Sequence, residues 1–157
     1  MKWTVLSDNR SVNCALSTEH GLSILLHTER YKILLDTGAS NVFIQNAEQL
    51  GIDLSTVDYV FISHGHSDHA GGLRYFLEQN TKAKVIVSPD AISGKFFSNR
   101  KASKLERYSK RNDLHSITTV WPESIKNRLI TVEKGGACDV DNIVGGIARS
   151  EERRVGK

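Results

Sequence analysis

Long apolar runs and paired cysteines are both missing from this sequence of 157 residues. No apolar run approaches the ~20 residues that a membrane-spanning helix needs, so we expect no membrane association. Residues 1–8 hold too short an apolar stretch for a secretory signal peptide. The two cysteines, Cys14 and Cys138, lie far apart, which favours free thiols over a disulfide framework. Together these absences predict a cytoplasmic protein.

Strong net charge is also missing, which argues against a nucleic-acid-binding protein. The formal net charge is +3, and the last nine residues alone hold four basic and two acidic side chains. The rest of the chain is close to neutral and offers no general basic surface. One segment, residues 95–111, is locally basic. It could contact an anionic group of a substrate, or it could be a solvated helix face.

What the sequence does contain is an alternation of strand and helix patterns. Hydrophobic residues make up 39% and charged residues 25%, as in ordinary globular domains. The patterns predict strands at 3–6, 22–27, 31–36, 57–62, 83–88 and 129–132, and helices capped by Ser40, over 69–79 and from Pro89. The strands of the first hairpin are rich in Ile and Leu, so we expect a sheet covered on both faces or strongly on one. The order predicts an α/β fold.

Half of the six histidines lie within residues 64–69, together with an aspartate. This segment follows an apolar strand and precedes Leu73, Phe76 and Leu77, which recur at helical spacing. The carboxyl ends of strands are where open α/β sheets commonly hold their sites. Imidazole nitrogens and carboxylate oxygens suit Zn²⁺. The segment therefore predicts a metal site on a strand-to-helix turn.

The spacing of the donors indicates two adjacent metal positions. His64 and His66 are two residues apart on an extended segment, so both can reach one ion. Asp68 and His69 follow where the chain enters the helix and can face a neighbouring position. Incidental surface histidines are the alternative, but four ligand-type residues in six positions favour a metal site over it.

Residues 64–69, called the donor turn below, and four other segments resemble one known family. The pattern His-x-His-x-Asp-His at 64–69, after an apolar strand, is similar to the signature of the metallo-β-lactamase fold superfamily. The segments 18–23, 34–38, 50–54 and 71–73 resemble its branch around dihydropterin-type phosphate synthases. The resemblance covers about residues 2–146. It implies an αββα sandwich, of which the chain would hold the first half and the start of the second.

The resemblance also implies a function and residue roles. His64 and His66 would bind a first metal, and Asp68 and His69 a second. Asp68 would in addition be catalytic, because it would orient the hydroxide that attacks an ester, amide or phosphoester of a small molecule. Asp36 would support the site through hydrogen bonds, although a turn-forming aspartate explains the same residue equally well. Zn²⁺ is the expected metal, and iron and manganese are compatible with the carboxylate.

Such a family normally supplies further metal ligands in its C-terminal half. The one later histidine, His115, is expected at the surface; Asp139 and Asp141 are expected in a polar turn, and Cys138 as a small buried residue. We therefore expect an incomplete domain over 1–146, a non-native or disordered tail over 147–157, weak metal binding and low turnover. A non-catalytic metal-binding module and a nucleic-acid-processing member of the fold are the alternatives.

Overall fold

The computed structural model describes residues 1–98 and 115–133. The described strands are β1 (Lys2–Ser7), β2 (Ser23–His27), β3 (Lys32–Leu35), β4 (Tyr59–Ile62), β5 (Lys84–Val87), β6 (Phe97–Ser98), β7 (His115–Ser116) and β8 (Leu129–Thr131). The described helices are α1 (Val42–Gln49), α2 (Ser67–Ala70), α3 (Leu73–Gln79) and α4 (Pro89–Ser93), with short 3₁₀ turns at Leu54–Thr56 and Glu123–Arg128. Strands and helices alternate along the chain, so the predicted α/β class is confirmed.

Six of these strands form one mixed sheet in the order β1-β2-β3-β4-β5-β8. The pairs β1–β2 and β2–β3 are antiparallel, so the predicted hairpin is confirmed. The pairs β3–β4, β4–β5 and β5–β8 are parallel, as strands joined by helical crossovers must be. Leu35 pairs with Phe61. The carboxyl ends of β3 and β4 therefore lie side by side. The candidate site lies at these two strand ends.

The hydrophobic core lies between one face of the sheet and the helices. Leu25, Leu34 and Val60 point to this face, where they pack with Phe43 of α1 and Phe76 of α3. Both phenylalanines are completely buried. Burial of each contributes roughly 1.5–3 kcal/mol to folding. This layer holds the strand ends rigidly under the donor turn.

The opposite face of the sheet is also apolar but only partly covered. Trp3 and Val5 are 64% and 39% exposed. Their register partners Leu26 and Ile24 are half-buried. The sequence predicted a sheet covered either on both faces or strongly on one. In the described residues, one face is strongly covered.

Two helix boundaries differ from the prediction. α1 begins at Val42, with Asn41 in the N-cap position. Ser40 accepts the Val42 N–H on its hydroxyl oxygen at 3.3 Å, as a capping serine does, and donates its proton to Glu19 Oε2 at 2.6 Å. The single helix expected over 69–79 is two helices, α2 and α3, because the Gly72 N–H donates to Gly38 O at 3.1 Å instead of continuing α2. A Cβ at Gly72 would lie 2.1 Å from Thr37 O, so only glycine permits this approach.

Several predictions concern residues outside the described ranges. Most of the basic segment 95–111 lies there, as do Cys138, Asp139, Asp141 and the tail 147–157. Within the described ranges, no helix is long and apolar enough to cross a bilayer.

Candidate metal centre

Asp36 leaves β3 with an unusual backbone conformation that aims its carboxylate under the donor turn. Its φ is +55°, in the left-handed region that aspartate tolerates better than most residues. The Asp36 N–H donates to Phe61 O at 2.8 Å and so extends the pairing of β3 with β4. Its side chain is buried. Asp36 is therefore both the turn-forming residue and a residue beneath the site, the two interpretations that the sequence left open.

Three hydrogen bonds converge on the Asp36 carboxylate. Oδ1 accepts from the Ser63 N–H at 2.7 Å. Oδ2 accepts from the Ser63 hydroxyl at 2.7 Å and lies 2.7 Å from His69 Nδ1. Because Nδ1 of His69 bonds the carboxylate, Nε2 is the nitrogen left for another partner. One buried carboxylate thus orients both ends of the donor turn.

The three imidazoles of the turn lie against one another. The ring centroid of His64 is 4.3 Å from that of His66 and 4.2 Å from that of His69. On its other side, His66 contacts Phe96 edge-on at 4.8 Å between centroids. All three histidines are half-buried. The structure brings the three predicted histidines together.

Asp68 lies between two histidines. Its Oδ2 is 3.7 Å from His69 Nε2 and 3.4 Å from His20 Nε2. His20 is held from behind, since its Nδ1 is 3.3 Å from Asn9 Oδ1, which also accepts from the Gly21 N–H. The predicted pair of Asp68 and His69 therefore has a third neighbour. Sequence analysis missed His20 as a neighbour of the site; its only signal in the sequence is its place in the family-like segment 18–23.

Backbone hydrogen bonds fix the turn from two sides. On one side, the Thr37 N–H donates to His69 O at 2.7 Å. On the other, the Ser67 N–H donates to Ile117 O at 2.7 Å and the Thr119 N–H to Gly65 O at 3.0 Å. This second anchor was not predicted. A Cβ at Gly65 would lie 2.2 Å from Ala91 O, which explains the glycine between the first two histidines.

Burial lowers the pKa of His64 below its ordinary value of 6.5, and the neighbouring His69 and His66 lower it further. The neutral imidazole is therefore favoured in the folded chain. Neutral imidazole is also the form that binds metal ions, because only it has a free lone pair.

The donor chemistry of this turn fits a divalent ion such as Zn²⁺. Three imidazoles, favoured neutral at His64, lie beside one carboxylate, and a buried carboxylate supports His69 from behind. Within residues 1–98 and 115–133, however, no three His, Cys, Asp or Glu side chains form a set arranged to hold an ion. The donor types and their proximity fit an ion, and the histidine rings must turn to share it.

His115 lies in β7, whose backbone pairs with β6.

Comparison with known proteins adds three findings. A sequence profile of the Metallo-beta-lactamase superfamily matches residues 17–145. Two proteins of Methanocaldococcus jannaschii are similar to this chain. The uncharacterised protein MJ0448 is 33% identical over 97 residues, which are 61% of this chain and 38% of that protein. The 7,8-dihydropterin-6-methyl-4-(beta-D-ribofuranosyl)-aminobenzene-5'-phosphate synthase is 28% identical over 100 residues, 60% of this chain and 34% of that protein.

A solved structure is similar over most of the chain. Tm1679, described as a metal-dependent hydrolase of the β-lactamase superfamily, superposes with a TM-score of 0.58 at 30% sequence identity. The similarity covers 87% of this chain and 42% of Tm1679. The matches thus span between a third and somewhat over two-fifths of the length of these relatives.

Proposed function

The chain belongs to the metallo-β-lactamase superfamily, as its sequence predicted, and from that premise we propose that it is a metal-dependent hydrolase. In this proposal His64 and His66 bind one divalent ion, and Asp68 and His69 bind a second beside it. Zn²⁺ is the proposed ion, with iron or manganese as alternatives. The similarity to Tm1679 over 87% of the chain supports the fold and the hydrolase class.

The observation that carries the proposal is the bond between the buried Asp36 carboxylate and His69 Nδ1 at 2.7 Å. Histidines that ligate metals commonly donate their other ring nitrogen to a carboxylate in this way. The bond turns His69 Nε2 towards Asp68 Oδ2, so two donors from different residues face the same space.

Bound at this turn, a divalent ion would supply an acidified water and polarise an oxygen of the substrate. Asp68, held between His20 and His69, accepts a hydrogen bond from the attacking water and orients it. Asp36 and the anchors at Gly65 and Ser67 keep the donors in place. The proposed substrate is a small molecule with an ester, amide or phosphoester bond; an anionic substrate would suit the basic segment 95–111.

A non-catalytic metal-binding module is the second candidate. Within the part of the chain that the structure describes, no three donor side chains are arranged to hold an ion, an arrangement that suits a loosely held ion better than a tight catalytic centre. Weak binding and low turnover, which the sequence led us to expect, stay predictions. The domain limits 1–146, the tail 147–157, the cytoplasmic location and the absence of nucleic-acid binding stay predictions.

Zn²⁺ titration of the metal-free chain against a chromogenic chelator tests the proposal. We expect His66→Ala to weaken binding about tenfold or more relative to the unmodified chain. His27→Ala is the matched control, since His27 is an exposed histidine at the end of β2. Equal affinities for all three proteins would exclude the donor turn as the metal site.

Hydrolysis assays separate the two candidates. The metal-loaded chain is mixed with ester, lactam and phosphodiester reporters, with His66→Ala as the background. Turnover that His66→Ala abolishes supports the hydrolase. Metal binding without turnover of any reporter supports the module. Tight uptake of two ions together with rapid turnover would contradict the expected weak binding.

A further inference from the structure

Ser63 stands between the buried carboxylate and the first histidine of the donor turn. We propose that Ser63 is a positioning residue that passes the orienting effect of Asp36 to His64 and fixes the proton of His64 on Nδ1. His64 then presents the lone pair of Nε2. The claim about the proton concerns the metal-free chain, whereas its consequence for metal binding rests on the proposed function.

The direction of the first hydrogen bond follows from the chemistry of the carboxylate. An ionised carboxylate has no proton to donate and only accepts. Asp36 accepts the Ser63 N–H on Oδ1, and its Oδ2 is 2.7 Å from both the Ser63 hydroxyl and His69 Nδ1. An ionised Asp36 carboxylate accepts from all three of these groups. The single hydroxyl proton of Ser63 is therefore committed to Asp36.

The direction of the second hydrogen bond follows from the first. Ser63 Oγ also lies 2.8 Å from His64 Nδ1. Since its proton is already used, the Ser63 oxygen can only accept here, and His64 Nδ1 must carry the proton. A neutral imidazole has one N–H, so His64 Nε2 bears the lone pair.

One carboxylate therefore fixes the proton of two imidazoles on Nδ1. It bonds His69 Nδ1 directly and His64 Nδ1 through the Ser63 hydroxyl. Both rings then present Nε2, and the two rings are only 4.2 Å apart between centroids. Without the hydroxyl, His64 Nδ1 loses its acceptor, and the proton is free to move to the nitrogen that would bind the ion.

The test is nitrogen-15 NMR of histidine in the metal-free full chain, recorded above pH 6.5, the ordinary pKa of histidine. In the unmodified chain we expect a protonated Nδ1 and an unprotonated Nε2 for His64. Ser63→Ala should shift His64 towards the form protonated on Nε2, and Ser63→Thr, which keeps a hydroxyl, should restore the original signal. Ser93→Ala is the matched control and should leave the spectrum unchanged, because Ser93 is an exposed serine at the end of α4 whose hydroxyl donates to Pro89 O.

Two results would overturn the proposal: a His64 protonated on Nε2 in the unmodified chain, or a His64 signal that is the same with and without the Ser63 hydroxyl. The unmodified chain alone decides the first, so the test holds even if Ser63→Ala fails to fold.

Zn²⁺ competition with the same proteins separates this inference from the proposed function. We expect Ser63→Ala to bind about tenfold more weakly, with Ser63→Thr and Ser93→Ala near the unmodified chain. The expected NMR result in a chain that binds no Zn²⁺ at all would support the role of Ser63 and contradict the proposed function. An affinity loss in Ser63→Ala without a change of the His64 signal would contradict the role of Ser63 alone.

Discussion

Replacing Asp36 with alanine removes the buried carboxylate beneath the donor turn. The substitution leaves the backbone N–H of Ser63, the Ser63 hydroxyl and His69 Nδ1 without their acceptor. It also forces an alanine into a backbone conformation with φ of +55°. Both effects lower the free energy of unfolding, and the first also loosens two of the proposed metal ligands.

The magnitude can be worked from these contacts. A hydrogen bond to a charged group contributes about 1.5–3 kcal/mol, and the Ser63 N–H cannot turn away to find water. The Ser63 hydroxyl and the His69 ring are partly exposed and regain hydrogen bonds to solvent, so they add little. The left-handed conformation adds about 1 kcal/mol for alanine. We expect a total loss of about 3 kcal/mol, a large part of the roughly 5–15 kcal/mol that stabilises a typical domain.

Urea unfolding followed by tryptophan fluorescence measures this loss as a lower midpoint at an unchanged slope. Asp36→Gly should be about 1 kcal/mol more stable than Asp36→Ala, because glycine adopts a positive φ without strain. Asp90→Ala is the control: Asp90 is exposed in the first turn of α4, and its loss should cost less than about 1 kcal/mol.

Zn²⁺ affinity is the second measurement on the same variants. We expect Asp36→Ala to bind Zn²⁺ about 10–100-fold more weakly. An Asp36→Ala chain within about 1 kcal/mol of the unmodified stability and with equal Zn²⁺ affinity would refute the role given to this carboxylate.

Three further predictions concern other parts of the chain. His20→Ala should weaken Zn²⁺ binding by up to about fivefold, since its exposed contact with Asp68 is worth up to ~1 kcal/mol; unchanged affinity in chelator competition would argue against this contact. The free energy of unfolding should fall as the pH drops below 6.5, because the lowered pKa of His64 makes the unfolded chain take up the proton first. Urea unfolding at a series of pH values should show a smaller fall for His64→Gln, and an equal fall would contradict this cause. The exposed apolar sheet face should bind a hydrophobic dye, and Trp3→Lys with Val5→Lys should reduce the fluorescence; a dye-silent chain would count against an accessible face.

The parts of the fold that are local in sequence could be predicted from the sequence. The strand at 57–62 and the donors at 64–69 are contiguous, so the apolar run and the histidine spacing sufficed to place a metal-type turn at the end of a strand. The hairpin also needed only two β-rich runs and a short connection. Asp36 was found through the family resemblance, because its place under His69 depends on the pairing of β3 with β4.

The parts that depend on tertiary contacts could not be predicted. The loop that carries His20 is held in place by Asn46, whose amide donates to Leu6 O at 2.7 Å and to Ser17 O at 2.8 Å. Nothing in the local pattern around His20 signals these distant partners. The hydrogen-bond direction at Ser63 likewise appears only once Asp36 and His64 are seen together. Residues 117–119 are too short a segment to give a periodic pattern.

The anchor between Ser67 and Ile117 has a consequence for the order of folding. Most of the core layer, from β2 to β5 with α1 and α3, precedes residue 88, although Ile125 joins the core later; contacts over short separations form first because they close small loops. The hydrogen bond from the Ser67 N–H to Ile117 O and that from the Thr119 N–H to Gly65 O form only after residues 117–119 have been added. During synthesis from the N-terminus, most of the core can therefore assemble on the ribosome before the donor turn has its last support. The site takes its final shape as a late step of folding, after the scaffold that holds it.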